Sequence, residues 1–240
     1  MIIIPDVILF DLDDTLISFN GVTEEALKTA CKAFLRESSM PVEASVLIEA
    51  VNRVKLWYWS DPARHRQGRL DLDNTRRQLF KRAFELLDYY NEYEAFYLAD
   101  TYTRYQEDMI HLFPESLITL QYLYNAGVKM GLITNGSSKK QRYKIDRFSL
   151  NQYFHLILIE EEVGYGKPDL RIYQRALSLL NLEASRVWMV GDNLNWDIEA
   201  PQKLGIYSIW ANYQREALEK NSSIVPDRII FDISEFQKII

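Results

Sequence analysis

The first pattern in the chain is an unbroken apolar run, Val7-Ile8-Leu9-Phe10, followed at once by Asp11, Asp13 and Asp14. Alternation disappears from a strand when neither face meets water, so this run predicts a strand inside a parallel sheet, with a polar cluster at its carboxyl end. From Thr23 to about Met109 the texture changes. Apolar residues recur three and four apart in Glu24–Arg36, Glu43–Trp59, Asn74–Tyr90 and Glu92–Met109, which predicts a block made entirely of helices.

After His111 strand and helix patterns alternate. Pro114–Ala126 reads as a helix stopped by Gly127, Val128–Thr134 as a strand and Lys139–Phe148 as a helix. Leu156–Ile159, Val187–Val190, Tyr207–Trp210 and Arg228–Phe231 follow as strands, with helices at Leu170–Leu180 and Asp197–Leu204. This rhythm predicts an α/β fold: a doubly wound, mostly parallel sheet covered by helices. With no internal repeat and no Gly/Ser/Pro linker, the helical block is expected to be an insertion. The α/β part is then 1–16 plus 112–240, and the helical part 17–111.

Composition narrows the class without choosing a function. Hydrophobic residues are 48% and charged residues 26% of the chain, as in ordinary globular proteins. The net charge of -6 argues against general affinity for nucleic acid or an anionic membrane surface. The single cysteine, Cys31, excludes an intramolecular disulfide and is read as a buried, inert thiol. Met1–Phe10 lacks a basic leader and a cleavage site, and no apolar run approaches the roughly 20 residues of a membrane helix, so a cytoplasmic location is expected.

In open α/β sheets ligands bind beyond the carboxyl ends of the strands, so the residues that follow each apolar run are the candidates. They are Asp11, Asp13 and Thr15; Thr134, Asn135 and Gly136; Gly166, Lys167 and Pro168; and Gly191, Asp192 and Asn193, with Asp197 farther on. Several carboxylates, an ammonium, hydroxyls and turn amides can hold a hard divalent cation and a phosphoryl group. Oxygen donors favour Mg²⁺ over zinc, and His65, His111 and His155 are too scattered for a zinc site.

The segments Asp11-Leu12-Asp13-Asp14-Thr15-Leu16, Thr134-Asn135-Gly136, Gly166-Lys167-Pro168-Asp169 and Gly191-Asp192-Asn193 with Asp197 resemble the four ordered motifs of the haloacid dehalogenase superfamily. The helical insertion after the first motif resembles the helical cap of that superfamily in placement and size. The resemblance implies a Mg²⁺-dependent phosphatase of its phosphatase branch, with a small phosphorylated metabolite as substrate. Asp11 is then the nucleophile and a metal ligand. Asp13 is the general acid and base, with its backbone carbonyl on the metal. Thr134 and Asn135 bind phosphoryl oxygens, Lys167 neutralises charge, Asp192 completes the metal site, and Asp197 binds through water or orients Lys167. It also implies hinges near 17–20 and 108–113.

Each motif alone has a plainer explanation as a turn or a helix cap, and Asp197 suits a helix start whatever its chemistry. The basic segment Arg64, Arg66, Arg69, Arg76, Arg77, Lys81 and Arg82 is read as a solvated face, with an anion-facing surface as the alternative. Trp57, Tyr58 and Trp59 are read as packing residues, with base or sugar stacking as the alternative. A 2-haloacid dehalogenase shares the nucleophile but has no use for Asp13 or Asp192. A sugar-phosphate mutase and a silent binding module stay open. The stretch Glu160-Glu161-Glu162-Val163-Gly164 resembles that of the nucleotide monophosphatase and sugar-acid phosphatase subgroup.

Overall fold

The computed structural model describes residues 5–218 and 223–240. Its central strand is β1, Val7–Phe10, buried along its whole length. The chain leaves β1 through a two-residue strand, β2 (Ile17–Ser18), and runs through α1 (Thr23–Glu37), α2 (Ala44–Trp59), α3 (Pro62–Leu70), α4 (Leu72–Glu85) and α5 (Glu92–Met109). It returns through β3 (His111–Leu112), which pairs antiparallel with β2 so that Ile17 faces Leu112. The described residues fall into two units, one of 5–18 with 111–240 and one of 19–110.

The first unit continues with α6 (Ser116–Asn125), β4 (Lys129–Thr134), α7 (Ser138–Arg147), β5 (Leu156–Ile159), α8 (Glu160–Val163), α9 (Leu170–Leu180) and β6 (Val187–Gly191). A π-helical turn over Leu194–Glu199 then leads into α10 (Ala200–Gln202), β7 (Tyr207–Ala211) and β8 (Arg228–Ile230). The sheet has six strands in the order β5-β4-β1-β6-β7-β8, and every pairing in it is parallel. The fold is therefore the doubly wound α/β architecture that the alternating pattern predicts.

β1 needs no polar residue because both of its faces are covered. Val7 and Leu9 pack with Ile133, Ile172, Tyr173 and Met189, while the Phe10 ring lies 6.3 Å from that of Phe154 and 5.8 Å from that of Phe236. Each such side chain contributes about 1.5–3 kcal/mol through burial. From β1 the chain winds outward to β4 and β5, then crosses back to β6 on the other side of β1. That reversal opens a crevice beyond the carboxyl ends of β1 and β6, the place where this architecture binds ligands.

In the helical unit the packing core is formed by residues such as Leu27, Phe34, Leu47, Phe80, Phe84 and Leu98. The helix expected over Asn74–Tyr90 is α4, which ends at Glu85, and α3 is an additional helix in a stretch for which the pattern predicted none; each is started by a local cap. The Asp61 carboxylate accepts the amide of Arg64 at 2.8 Å with Pro62 in the first turn, and Asp71 accepts the amide of Asn74. The solvated-face reading fails at Arg76, which is buried: its guanidinium donates to the Thr103 hydroxyl at 3.0 Å and to the Gln106 carbonyl, and lies 4.9 Å from the centre of the Tyr102 ring. Trp57 departs from the packing reading. It is 43% exposed, with the guanidinium carbons of Arg64 and Arg82 4.2 and 4.1 Å from its ring centre. Cys31 is buried. Among the described residues no helix is long and apolar enough to cross a membrane.

Candidate active site

Asp11 follows β1 directly and is buried at the switch point of the sheet. The loop behind it is tied down by its own backbone. The amides of Leu16 and Ile17 both donate to the Leu12 carbonyl, and Asp14 takes a left-handed φ of 59° and donates to the Ile17 carbonyl at 2.7 Å. Aspartate tolerates that conformation better than most side chains. From outside the loop, the Tyr213 hydroxyl donates to the Thr15 carbonyl at 3.0 Å and the Ser116 hydroxyl to the Leu16 carbonyl at 2.8 Å.

Groups that follow β5 and β6 converge on Asp11. Lys167 Nζ lies 2.6 Å from Asp11 Oδ1 and 2.6 Å from Asp197 Oδ1, and all three groups are buried. The carboxylates of Asp11, Asp192 and Asp197 each present an oxygen within 4.8 Å of the others. Asp192 is fixed at its carbonyl, which accepts the Trp210 indole N–H at 2.8 Å.

Asp197 stands inside the π-helical turn and does not open a helix as the sequence pattern suggests. Asn193 is the cap, its side-chain oxygen accepting the amides of Asn195 and Trp196 at 3.1 Å each, so the turn begins three residues earlier. The second oxygen of Asp197 accepts the Asn193 amide at 3.1 Å.

The second motif is locked to the third. Asn135 exchanges two hydrogen bonds of 2.7 Å with the backbone of Lys167, donating to its carbonyl and accepting its amide. The Gly136 amide donates to Glu160 Oε2 at 2.9 Å. Gly166 permits this crowding, because a Cβ there would lie 2.4 Å from Asn135 Oδ1 and 2.6 Å from Glu160 Cδ. The Asn135 side chain is thus spent on holding the lysine loop.

Two residues of α7 belong to the cluster although no motif contains them. Lys144 Nζ contacts both oxygens of Asp13 at 2.7 Å, and Gln141 Nε2 lies 3.0 Å from Asp13 Oδ2 and 2.5 Å from Thr134 Oγ1. Asp13 and Thr134 are therefore neighbours through Gln141. Glu160 is the other contributor that sequence spacing missed; it sits in the acidic run read only as a subgroup resemblance.

Burial raises the carboxyl groups of the cluster. Asp11 is pushed up to about 7, against the opposing pull of Lys167 and with help from the Asp197 charge. Asp192 is raised well above the ordinary carboxylate range by burial and by the Asp11 and Asp197 charges. Lys167 is held charged by Asp11 and Asp197, whose attraction outweighs its own burial. Three buried or partly buried carboxyl groups crowded beside one ammonium form a site of hard oxygen donors, whose ligand chemistry fits a divalent cation such as Mg²⁺.

Residues 8–211 match the model of the haloacid dehalogenase-like hydrolases. The chain belongs to that family, and is a hydrolase of its phosphatase branch. It is 26% identical to the glyceraldehyde 3-phosphate phosphatase of Methanothermobacter thermautotrophicus, over 97% of this chain and 98% of that one. Among solved structures it resembles a 2-haloacid dehalogenase from Pseudomonas syringae (30% identity, TM-score 0.65, 99% of this chain and 98% of that one). It also resembles the HAD-hydrolase YfnB of Bacillus subtilis, bound to magnesium (20% identity, TM-score 0.75, 99% of each chain); at that identity the likeness concerns the fold.

Proposed function

We propose that the protein is a Mg²⁺-dependent phosphatase that cleaves a small phosphate monoester through an aspartyl-phosphate on Asp11. The observation that carries this reading is the buried Asp11–Lys167 pair at 2.6 Å, set beside Asp192 and Asp197 at the switch point of the sheet. Lys167 holds one oxygen of the Asp11 carboxylate and so orients it for attack on phosphorus. The ester P–O bond breaks, the acyl-phosphate bond forms, and the leaving alkoxide takes its proton from Asp13. Asp13 then accepts a proton from water as the water oxygen attacks phosphorus, which releases phosphate and restores Asp11.

Thr134 and the Asn135 amide are assigned to the phosphoryl oxygens. The Thr134 oxygen accepts from Gln141, which leaves the hydroxyl hydrogen to be donated. Mg²⁺ would be held by Asp11, Asp192 and the Asp13 carbonyl, and would supply charge neutralisation for the transferring group. Asp197 acts by orienting Lys167. The haloacid dehalogenase alternative leaves Asp13 and Asp192 without a task, whereas phosphoryl transfer uses both.

A three-carbon sugar phosphate is favoured as the first substrate to try by the relative from Methanothermobacter, with nucleoside monophosphates next on the sequence resemblance. The test is hydrolysis of p-nitrophenyl phosphate with Mg²⁺, with EDTA and by Asp11→Asn. Turnover lost in both of the latter supports the reading; metal-independent turnover of a 2-haloacid overturns it.

A further inference from the structure

The helix α7 carries an anomaly. Its inward residues are Gln141, Lys144 and Ile145, with Lys144 5% and Gln141 2% exposed. An amphipathic helix of this length would ordinarily cover the sheet with apolar side chains, since burying an amide and an ammonium costs several kcal/mol unless both are partnered. Their partners are catalytic candidates: Asp13 receives Lys144 on both oxygens at 2.7 Å and Gln141 on one at 3.0 Å. The same Gln141 nitrogen reaches Thr134 at 2.5 Å. Since a carboxylate only accepts, the atom of Gln141 facing Asp13 is its NH₂, so the amide orientation follows from chemistry.

Gln141 and Lys144 are three apart and lie on one face of the helix. Ser138, the first residue of α7, stands four positions after Thr134, the last residue of β4. One rigid helix thus spans the arm that is to bind phosphate and the group that is to move protons. We propose that Lys144 and Gln141 are positioning residues for Asp13: they hold its carboxyl group at a fixed place relative to Thr134, Lys144 sharing both oxygens of the carboxylate form and giving one up when the acid form turns its proton to the leaving oxygen. This rests on the reading of Asp13 as acid and base. A proton donor misplaced by about 1 Å loses up to about 10²-fold in rate.

The test compares kcat/KM, which reports the step in which the leaving group departs, for two esters. p-Nitrophenolate leaves without a proton; the alkoxide of an alkyl phosphate does not. Lys144→Met is expected to lose about 10- to 100-fold on the alkyl ester and less than about threefold on p-nitrophenyl phosphate, whereas Gln141→Met, which also releases Thr134, is expected to lose activity on both esters with the loss on the alkyl ester about tenfold larger. Lys144→Arg should recover most of the alkyl activity. Asp13→Asn should show the same split more strongly. If Asp13→Asn shows it and neither α7 variant does, or if folded α7 variants lose both esters equally, the clamp is refuted while the reading of Asp13 stands. If Asp13→Asn shows no split, the acid–base reading falls and takes the clamp with it. Should Lys144→Met fail to fold, Gln141→Met decides alone.

Discussion

A Cβ placed on Gly191 would lie 2.2 Å from Cγ of Asp197. The glycine that ends β6 is thus the space in which the Asp197 carboxylate stands while it holds Lys167 at 2.6 Å. Gly191→Ala is expected to displace Asp197 and loosen Lys167, with a loss of at least about tenfold in kcat/KM and an overpacking cost of about 1–3 kcal/mol. Gly127 supplies the control: its φ is +77° and an added Cβ meets nothing within 4 Å. Gly127→Ala should cost about 1–2 kcal/mol of backbone strain and leave kcat/KM unchanged. Steady-state kinetics and thermal melts of the two variants distinguish a site glycine from a turn glycine.

Lys167→Met removes the ammonium shared by Asp11 and Asp197. Breaking a buried pair by deleting one partner costs about 3–5 kcal/mol, and loss of a preorganised electrostatic group costs about 10²–10³-fold in kcat. Denaturant unfolding and p-nitrophenyl phosphate turnover read the two effects. A variant with native stability and native turnover would show that the pair is neither structural nor catalytic.

The carboxylate cluster should bind Mg²⁺ without substrate. Binding only the folded state stabilises it by RT ln(1 + [L]/Kd), about 2.7 kcal/mol at a hundredfold excess over Kd. Mg²⁺ is therefore expected to raise the Tm of the wild type, and Asp192→Asn to abolish most of the rise. An equal rise in both proteins would place the ion elsewhere.

Cys31 is buried within the core of the helical unit, and burial pushes its thiol up to about 12. A thiol reagent should react with the folded protein far more slowly than with the protein in denaturant, at the rate set by opening of that unit. Fast labelling of the native protein would contradict the packing of α1.

The parts of the site legible in the sequence were those whose chemistry and position are both local. Asp11, Thr134 and Asp192 each follow an apolar run within two residues, so strand and site are read together. Gln141 and Lys144 were hidden because their partner Asp13 is 128 and 131 positions away, and a polar helix such as Ser138–Arg147 looks solvated until its contacts are known. Arg76 was misread for the same reason: its partners Thr103 and Gln106 lie on α5. The helix α3 has almost no apolar periodicity, so the pattern gave it no place, and its start is set by the Asp61 cap with Pro62 in the first turn. β2 and β3 have two residues each, too few to form a pattern.

The most direct test of the aspartyl-phosphate is to quench the enzyme in acid during turnover of a phosphorylated substrate with Mg²⁺, and to map its peptides by mass. One phosphoryl group on the peptide containing Asp11, absent in Asp11→Asn, is the predicted result. Phosphate released at full rate with no labelled peptide, or with the label on another residue, would contradict it.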